Sequence, residues 1–358
     1  MPSLKEIKGR INSISSTLAI TSAMKMVASA KLQKAQMAIQ NMLPYERRLY
    51  SMLVDLMGAM NISAAASEDG SVRGSGSAER GFDQSGDRLS LSNRHDLAGM
   101  DGAYSLMAQR EVRKVAIVAF ASNSSLCGAF NSNVIREATA VINEYRASGL
   151  GDADITVYSV GRKMAEAMKK LGFPSPADFT KMSDSPSYDA ASALAQELFD
   201  GFVSGRFDKV ELVYNHYKST SSQPTTRQTY LPLSLADATA DLQAGKITDS
   251  ASETDTNRVA EPVGAPVVRQ GSPTTEDLIV EPSKEALIAT LLPKVVRLRI
   301  FTTLLDSAAA EHAARTVAMQ LATDNGNDLL QELTLEYNKG RQQKITSEIL
   351  DLVGGSMQ

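Results

Sequence analysis

From Leu4 onward, apolar residues recur in steps of three and four. They run Leu4, Ile7, Ile11, Ile14, Leu18, then Thr21, Lys25, Ala28, Leu32, Ala35, Ile39 and Met42. After Glu46 the pattern resumes at Leu49, Leu53, Leu56 and Met60. A seven-residue repeat held for about eight heptads predicts a coiled-coil strand. Pro2 falls where a helix start tolerates proline, and Pro44 predicts a kink or a local break. At about 1.5 Å per residue such a helix spans roughly 87 Å. Thr21, Lys25 and Glu46 interrupt the seam. Polar residues there either specify register or await a partner.

The other end repeats the pattern. Pro282-Ser283 offers a helix cap. Apolar positions follow at Leu287, Leu291, Val295, Leu298, Leu305, Met319, Leu329, Leu333, Tyr337, Ile345, Ile349 and Leu352. Between them lie Ala308, Ala309, Ala310, Ala313, Ala314, Ala318 and Ala322, small enough to let two helix backbones approach. Pro293 falls in the first turns and suits a bend there. This helix is on the order of 105 Å long. Two terminal helices of similar length most simply pair antiparallel.

The middle changes period. Arg113–Phe120 is a continuous apolar run of buried-strand type. Residues 128–148 read as a helix, Ile155–Val160 as a strand, and Arg162–Leu171 as a short helix stopped by Gly172 and Pro174. A further helix covers Ala190–Val203, and strands cover Lys209–Tyr217 and Thr225–Leu233. Strands alternating with helices indicate an open, mostly parallel sheet. The expected fold class is therefore α/β: a long antiparallel coiled coil of N- and C-terminal helices plus a small open, mostly parallel α/β sheet domain. Five segments follow: an N-terminal coiled-coil helix over 1–60, a polar Gly/Ser-rich insert over 61–110, the α/β domain over 111–233, a second polar insert over 234–279, and a C-terminal coiled-coil helix over 280–358. Neither insert has a sustained period, so both read as surface inserts or disordered loops. Residues 102–110 fit either an added strand or a helix.

Composition narrows the function. In 358 residues there is one cysteine, Cys127, so no disulfide framework is possible. No stretch has the apolar length of a membrane span, and MPSLKEIKGR has no signal-peptide core. Net charge is −4, but residues 1–59 carry +5, residues 281–358 carry −2 and the middle carries −7. A basic terminal arm suits an acidic partner. The overall acidity argues against nucleic acid as that partner.

Candidate chemistry is sparse. Gly245-Lys246 lacks the following Ser/Thr of a phosphate-binding loop. Gly74-Ser75-Gly76 sits in an insert rather than between a strand and a helix. His95, His216 and His312 have no metal-ligand spacing. Cys127 follows a strand and precedes a helix, so it is either a nucleophile or a small buried residue in a tight turn. The turn reading fits better. Asp324 and Asp328 read as a solvated face or as partner contacts. No catalytic, cofactor-binding or metal-ligating residue is expected.

The residues resemble the gamma subunit of F-type ATP synthase. The N-terminal likeness is Lys5-Glu6-Ile7-Lys8, Ile11 and Ile20-Thr21-Ser22-Ala23-Met24-Lys25-Met26-Val27-Ala28. The central one is Leu126-Cys127-Gly128-Ala129-Phe130-Asn131. The C-terminal one runs from Glu311-His312-Ala313-Ala314-Arg315 through Ala322-Thr323-Asp324-Asn325 and Tyr337-Asn338-Lys339 to Ile345-Thr346-Ser347-Glu348-Ile349-Leu350. Together they cover about 260 residues, counting the heptad ends and the sheet. The sequence departs from the family's pattern at Ala19, Ser22, Ser122-Asn123-Ser124-Ser125, Gly340 and Gly354-Gly355. Gly340 costs the isolated helix roughly 1 kcal/mol against alanine.

The resemblance implies a rotor. The coiled coil would fill the cavity of the alpha/beta hexamer. The α/β domain would sit at its foot, near the epsilon subunit and the c-ring, with one copy per complex. Rotation would impose different conformations on the catalytic beta subunits, with no bond chemistry or cofactor in this chain. By position, Met24 and Lys25 match the segment facing acidic loops of the beta subunits. Arg315, Gln342, Thr346 and Glu348 match positions of coupling and hexamer contact, and Arg341, on the same stretch, is counted with them as a partner contact. Location would be peripheral, on the cytoplasmic face of a bacterial plasma membrane. A stand-alone coiled-coil scaffold, or an α/β enzyme using Cys127, is the other reading. Either leaves part of the pattern unexplained.

Overall fold

A computed structural model of the chain describes residues 3–59, 106, 110–233 and 284–356. The helix α1 spans Leu4–Ala59. It is followed by β1 (Val115–Phe120), α2 (Phe130–Ala147), β2 (Ile155–Val160), α3 (Arg162–Lys170), α4 (Thr180–Asp184), α5 (Tyr188–Val203), β3 (Lys209–Asn215), β4 (Thr225–Leu231) and α6 (Lys284–Ser356). The second insert, and the first apart from Leu106 and Arg110, lie outside the described residues.

The four strands form one sheet in the order β2-β1-β3-β4. β1 pairs parallel with β2 and with β3, and β4 closes the edge antiparallel to β3. β1 is buried along its whole length because both faces are covered. On one face Val115, Ile117 and Ala119 meet Val134, Ala138, Val141 and Ile142 of α2 and Met164 and Met168 of α3. On the other, Ala116, Val118 and Phe120 meet Leu194, Leu198 and Phe202 of α5. Leu49, Leu53 and Leu56 of α1 and Leu292, Val296 and Ile300 of α6 join that second core. The root of the coiled coil is therefore embedded in the α/β domain. Leu106 and Arg110 belong there too: Leu106 is fully buried and its carbonyl accepts the Leu233 N–H at 2.9 Å, while Arg110 lies over the Phe202 ring.

The seam read from the sequence is the buried stripe of α1. Ile7, Ala28, Leu32, Glu46, Leu49, Leu53 and Leu56 are buried, and Leu4, Ile11, Ile14, Leu18, Thr21, Lys25, Ala35, Ile39 and Met42 are half-buried. Pro44 predicts an interruption, but α1 runs through it unbroken. Pro44 is exposed, and the flanking seam residues are held by packing on α6. On α6 the outer seam is Met319, Thr323, Gly326, Leu330, Leu333, Tyr337 and Gly340. Leu329, expected inside, is exposed; its neighbour Leu330 takes the seam.

Candidate partner interface on the shaft

The three polar seam residues find partners across the pair. Thr21 Oγ1 accepts from Thr323 Oγ1 at 3.1 Å. Lys25 Nζ donates to Gln320 Oε1, and Gln320 in turn donates to Asp324 at 2.7 and 2.9 Å. Glu46, buried, accepts from Thr302 at 3.1 Å and from Arg299 at 3.5 Å. These pairs, with Leu18 against Gly326 and Leu4 against Gly340, follow one antiparallel alignment to within about a helical turn, so these groups help to define the register.

The glycines serve the same seam. A Cβ on Gly326 would lie 2.6 Å from Leu18 Cδ2, and one on Gly340 would lie 3.2 Å from Leu4 Cδ2. The helix-propensity cost of glycine is thus exchanged for close approach of the two helices.

Beyond Gly340 no described residue of α1 packs on α6. Every residue of 341–350 is exposed, and so are Leu352 and Val353. At 1.5 Å per residue, the segment 341–356 extends roughly 24 Å past its last seam contact as one helix. Four of the sequence-predicted residues lie on it: Arg341, Gln342, Thr346 and Glu348. Thr346 bonds back to the Gln342 carbonyl at 2.9 Å, and Glu348 faces Lys344 at 3.8 Å in solvent. Ile345, Ile349 and Leu352, at steps of four and three, share a face. Leu352 is 74% exposed.

Further along, Met24 is half-buried beside Lys25. Around them Ile20, Met26 and Val27 of α1 and Leu321 of α6 point outward, Met26 at 74% exposure. Heptad projection carries the signal for these residues, because Ile20, Met26, Val27 and Met37 are apolar at positions off the seam. Exposed apolar residues clustered along one stretch of a helix suit a partner contact.

Arg315 is elsewhere. It lies where the shaft meets the loop after β1, paired with Glu311 at 2.9 Å and donating to Ser124 Oγ at 2.7 Å. That loop is braced by Asn131, whose Oδ1 accepts the Ser122 N–H at 3.0 Å, and by Asn123, whose Oδ1 accepts the Arg162 N–H at 2.8 Å. The structure thus brings Met24 and Lys25 together, groups the four tip residues separately, and sets Arg315 at the root.

Cys127 is buried in the same loop. Asn131 Nδ2 lies 3.2 Å from its sulfur, with Ser122 Oγ at 3.7 Å and the Ser124 carbonyl at 3.9 Å. None of these groups can take the proton of a nucleophile. The thiol packs against Phe130 and Ala310, as a small apolar filler does.

His312 sits beside Glu311 at this junction. Its Nδ1 is buried without a hydrogen-bond partner among the described residues. Burial, then the charges of Arg315 and Lys31, hold its pKa down at about 4. The folded protein therefore binds fewer protons here than the unfolded chain below the usual imidazole value. Stability falls as pH drops from about 6.5 towards about 4, by of order 2 kcal/mol after allowance for partial exposure. Glu311, pushed up by burial, protonates in the same direction with the opposite sign and offsets part of the loss. Thermal unfolding of His312→Gln across this window is expected to show a flatter profile than the parent; an unchanged slope refutes the assignment.

A small α/β sheet domain rooted on a long two-helix coil, with exposed apolar residues along the outer part of that coil, defines a shaft-bearing α/β protein. The sequence pattern of the ATP synthase family matches residues 3–357. The ATP synthase gamma chain of Phocaeicola vulgatus is 48% identical over 100% of both chains. That of Bacteroides thetaiotaomicron is 45% identical over 100% of both. A chain of the Euglena gracilis mitochondrial ATP synthase, solved with its OSCP, F1 and c-ring, shares the fold at 18% identity and a TM-score of 0.52, covering 99% of this chain and 93% of that one. The chain belongs to the ATP synthase gamma chain family. It is the central-stalk rotor type of subunit, not the catalytic one, and no helix among the described residues is long and apolar enough to cross a membrane.

Proposed function

We propose that the shaft seats in the cavity of the alpha/beta hexamer, with the tip residues Arg341, Gln342, Thr346 and Glu348 and the collar around Met24 and Lys25 bearing on those subunits. The α/β domain meets the epsilon subunit and the c-ring. One copy serves each complex, peripheral to the cytoplasmic face of a bacterial plasma membrane. Arg315 acts from the root, by holding the loop after β1 against α6. The observation that carries this reading is the unpaired apolar face of Ile345, Ile349 and Leu352 at the end of an otherwise paired coil. Water-exposed apolar surface of that extent is stabilised by a surrounding sleeve. The inserts and domain limits at 1–60, 61–110, 111–233, 234–279 and 280–358 fit a foot that carries its additions away from the hexamer.

The test is ATP hydrolysis by cognate alpha and beta subunits with and without the chain. Added chain is expected to give one copy per hexamer and higher turnover. Changing Ile345, Ile349 and Leu352 together to serine removes roughly 3 kcal/mol of burial, a loss of about a hundredfold in affinity of the tip for its seat. If the folded chain neither binds nor changes turnover, the proposal fails.

A further inference from the structure

The loop between β3 and β4 reaches across to the shaft and holds both of its helices. Asp306 of α6 uses its two carboxylate oxygens on neighbouring residues: Oδ2 lies 2.6 Å from His216 Nδ1, and Oδ1 accepts the Tyr217 N–H at 2.9 Å. The Tyr217 hydroxyl accepts from Gln36 Nε2 of α1 at 2.6 Å. Tyr217 packs against two apolar clusters, Leu32, Ala309 and Ala313, and Cys127, Phe130 and Ala310. The loop is itself closed, because His216 N–H donates to the Pro224 carbonyl at 2.9 Å and Ser219 and Ser222 exchange backbone hydrogen bonds. Elsewhere the α/β domain grips the shaft mainly through apolar packing, with hydrogen bonds from Arg315 to Ser124, from Arg297 to Gln196 and from Tyr230 to the Val296 carbonyl beside it. This fastening is polar, and its outer member is an imidazole.

We infer that His216, Asp306 and Tyr217 form a proton-dependent clamp between the α/β domain and the shaft, tight when the imidazole is charged and looser when it is neutral. A charge-assisted N–H···O⁻ bond is about twice as strong as its neutral counterpart. When it weakens, Asp306 is freer to leave the Tyr217 amide that shares its carboxylate.

The charges acting on the ring are few. Among the described residues Asp306 faces it from α6 and Lys218 from the same loop; Pro224, just before β4, takes the His216 backbone N–H, and α1 presents Gln36 to Tyr217 rather than to the ring. The hydrogen bond to Asp306 raises the imidazole above its ordinary value, while partial burial and Lys218 pull the other way. With a raised folded value, the added hold is complete below the ordinary imidazole range and is lost as pH rises through the folded value.

The clamp is tested on the full-length chain by hydrogen exchange of the Tyr217 amide between about pH 5.5 and about pH 8, corrected for the intrinsic rate. A severalfold loss of protection is expected as pH rises, and none in His216→Gln. A second measurement needs no variant to fold: with labelled histidine, the His216 ring signals should titrate above free imidazole. Asp306→Asn should bring them to or below the free value, because burial and Lys218 then act unopposed. Protection that is flat in the parent, a pH slope that survives in His216→Gln, or a His216 titration at or below free imidazole overturns the inference.

Discussion

Replacing Glu211 by alanine is expected to destabilise the α/β domain by about 2–4 kcal/mol, somewhat under the cost of breaking a fully buried ion pair because the cations it pairs are partly exposed. Glu211 is 1% exposed near the centre of the sheet. Its carboxylate accepts from Arg227 Nε at 2.7 Å and Nη2 at 3.1 Å, from the Tyr145 hydroxyl at 2.6 Å, and pairs with Lys209 Nζ at 2.7 Å. Arg227 also reaches Glu144 on α2. Burial alone pushes the carboxyl up, but hydrogen bonds from Arg227, Lys209 and Tyr145 together outweigh it and hold the group below its ordinary value. The sign is that of a paired carboxylate: its contribution is present above the unfolded value and is lost as pH falls through the depressed one. Alanine takes the carboxylate from Lys209 and the Tyr145 hydroxyl and leaves Arg227 with Glu144 as its remaining partner. Glutamine keeps the shape and some acceptor capacity, so it should cost less. Denaturant unfolding of both variants checks this, and a loss under about 1 kcal/mol for alanine would contradict it.

Gly161→Ala is the second severe change. Gly161 ends β2 and opens α3 with φ +95°, and an added Cβ would lie 2.0 Å from the Ala121 carbonyl oxygen and 2.7 Å from its carbon. The obstacle is backbone, so no side-chain rotation relieves it. The left-handed conformation alone costs roughly 1–2 kcal/mol, and forcing apart the ends of β1 and β2 brings the total above about 4 kcal/mol. Gly172→Ala is the matched control. Gly172 also has positive φ, +91°, but nothing lies within 4 Å of its would-be Cβ. It should show the conformational cost without the clash. Similar unfolding midpoints for the two variants would remove the steric explanation.

The coiled coil was legible because its period is long and one-sided. The seam of α1 from Leu4 to Leu56 is buried or half-buried at every position read from the period. The strands were equally plain, since β1 reads as an uninterrupted apolar run and is covered on both faces. Leu329 and Leu330 show where periodicity is blind: two adjacent leucines fit the stripe equally until a partner helix chooses one. The polar seam residues show a different limit. Nothing near Lys25 in sequence announces Gln320, and Glu46 gives no sign of Arg299, because such pairs exist only once the offset of the helices is fixed. The short α4 carries too few residues for any period to be read. For the candidate site, sequence likeness supplied Arg341, Gln342, Thr346 and Glu348. It could not say that α6 is unpaired there, since the apolar pattern of Ile345, Ile349 and Leu352 continues as though a partner were present. His216 looked like an isolated histidine because Asp306 lies 90 positions away.

The end of pairing at Gly340 divides the shaft mechanically. Bending resistance rises steeply with the width of a rod, so two helices locked in one register are much stiffer than one. From the buried root to Gly340 the shaft acts as a beam. Past that point α6 continues alone, and nearly all elastic compliance is concentrated in its last four or so turns. A tip of this kind can tilt and recentre in an uneven bearing without levering against the sheet domain, while the beam behind it carries the load.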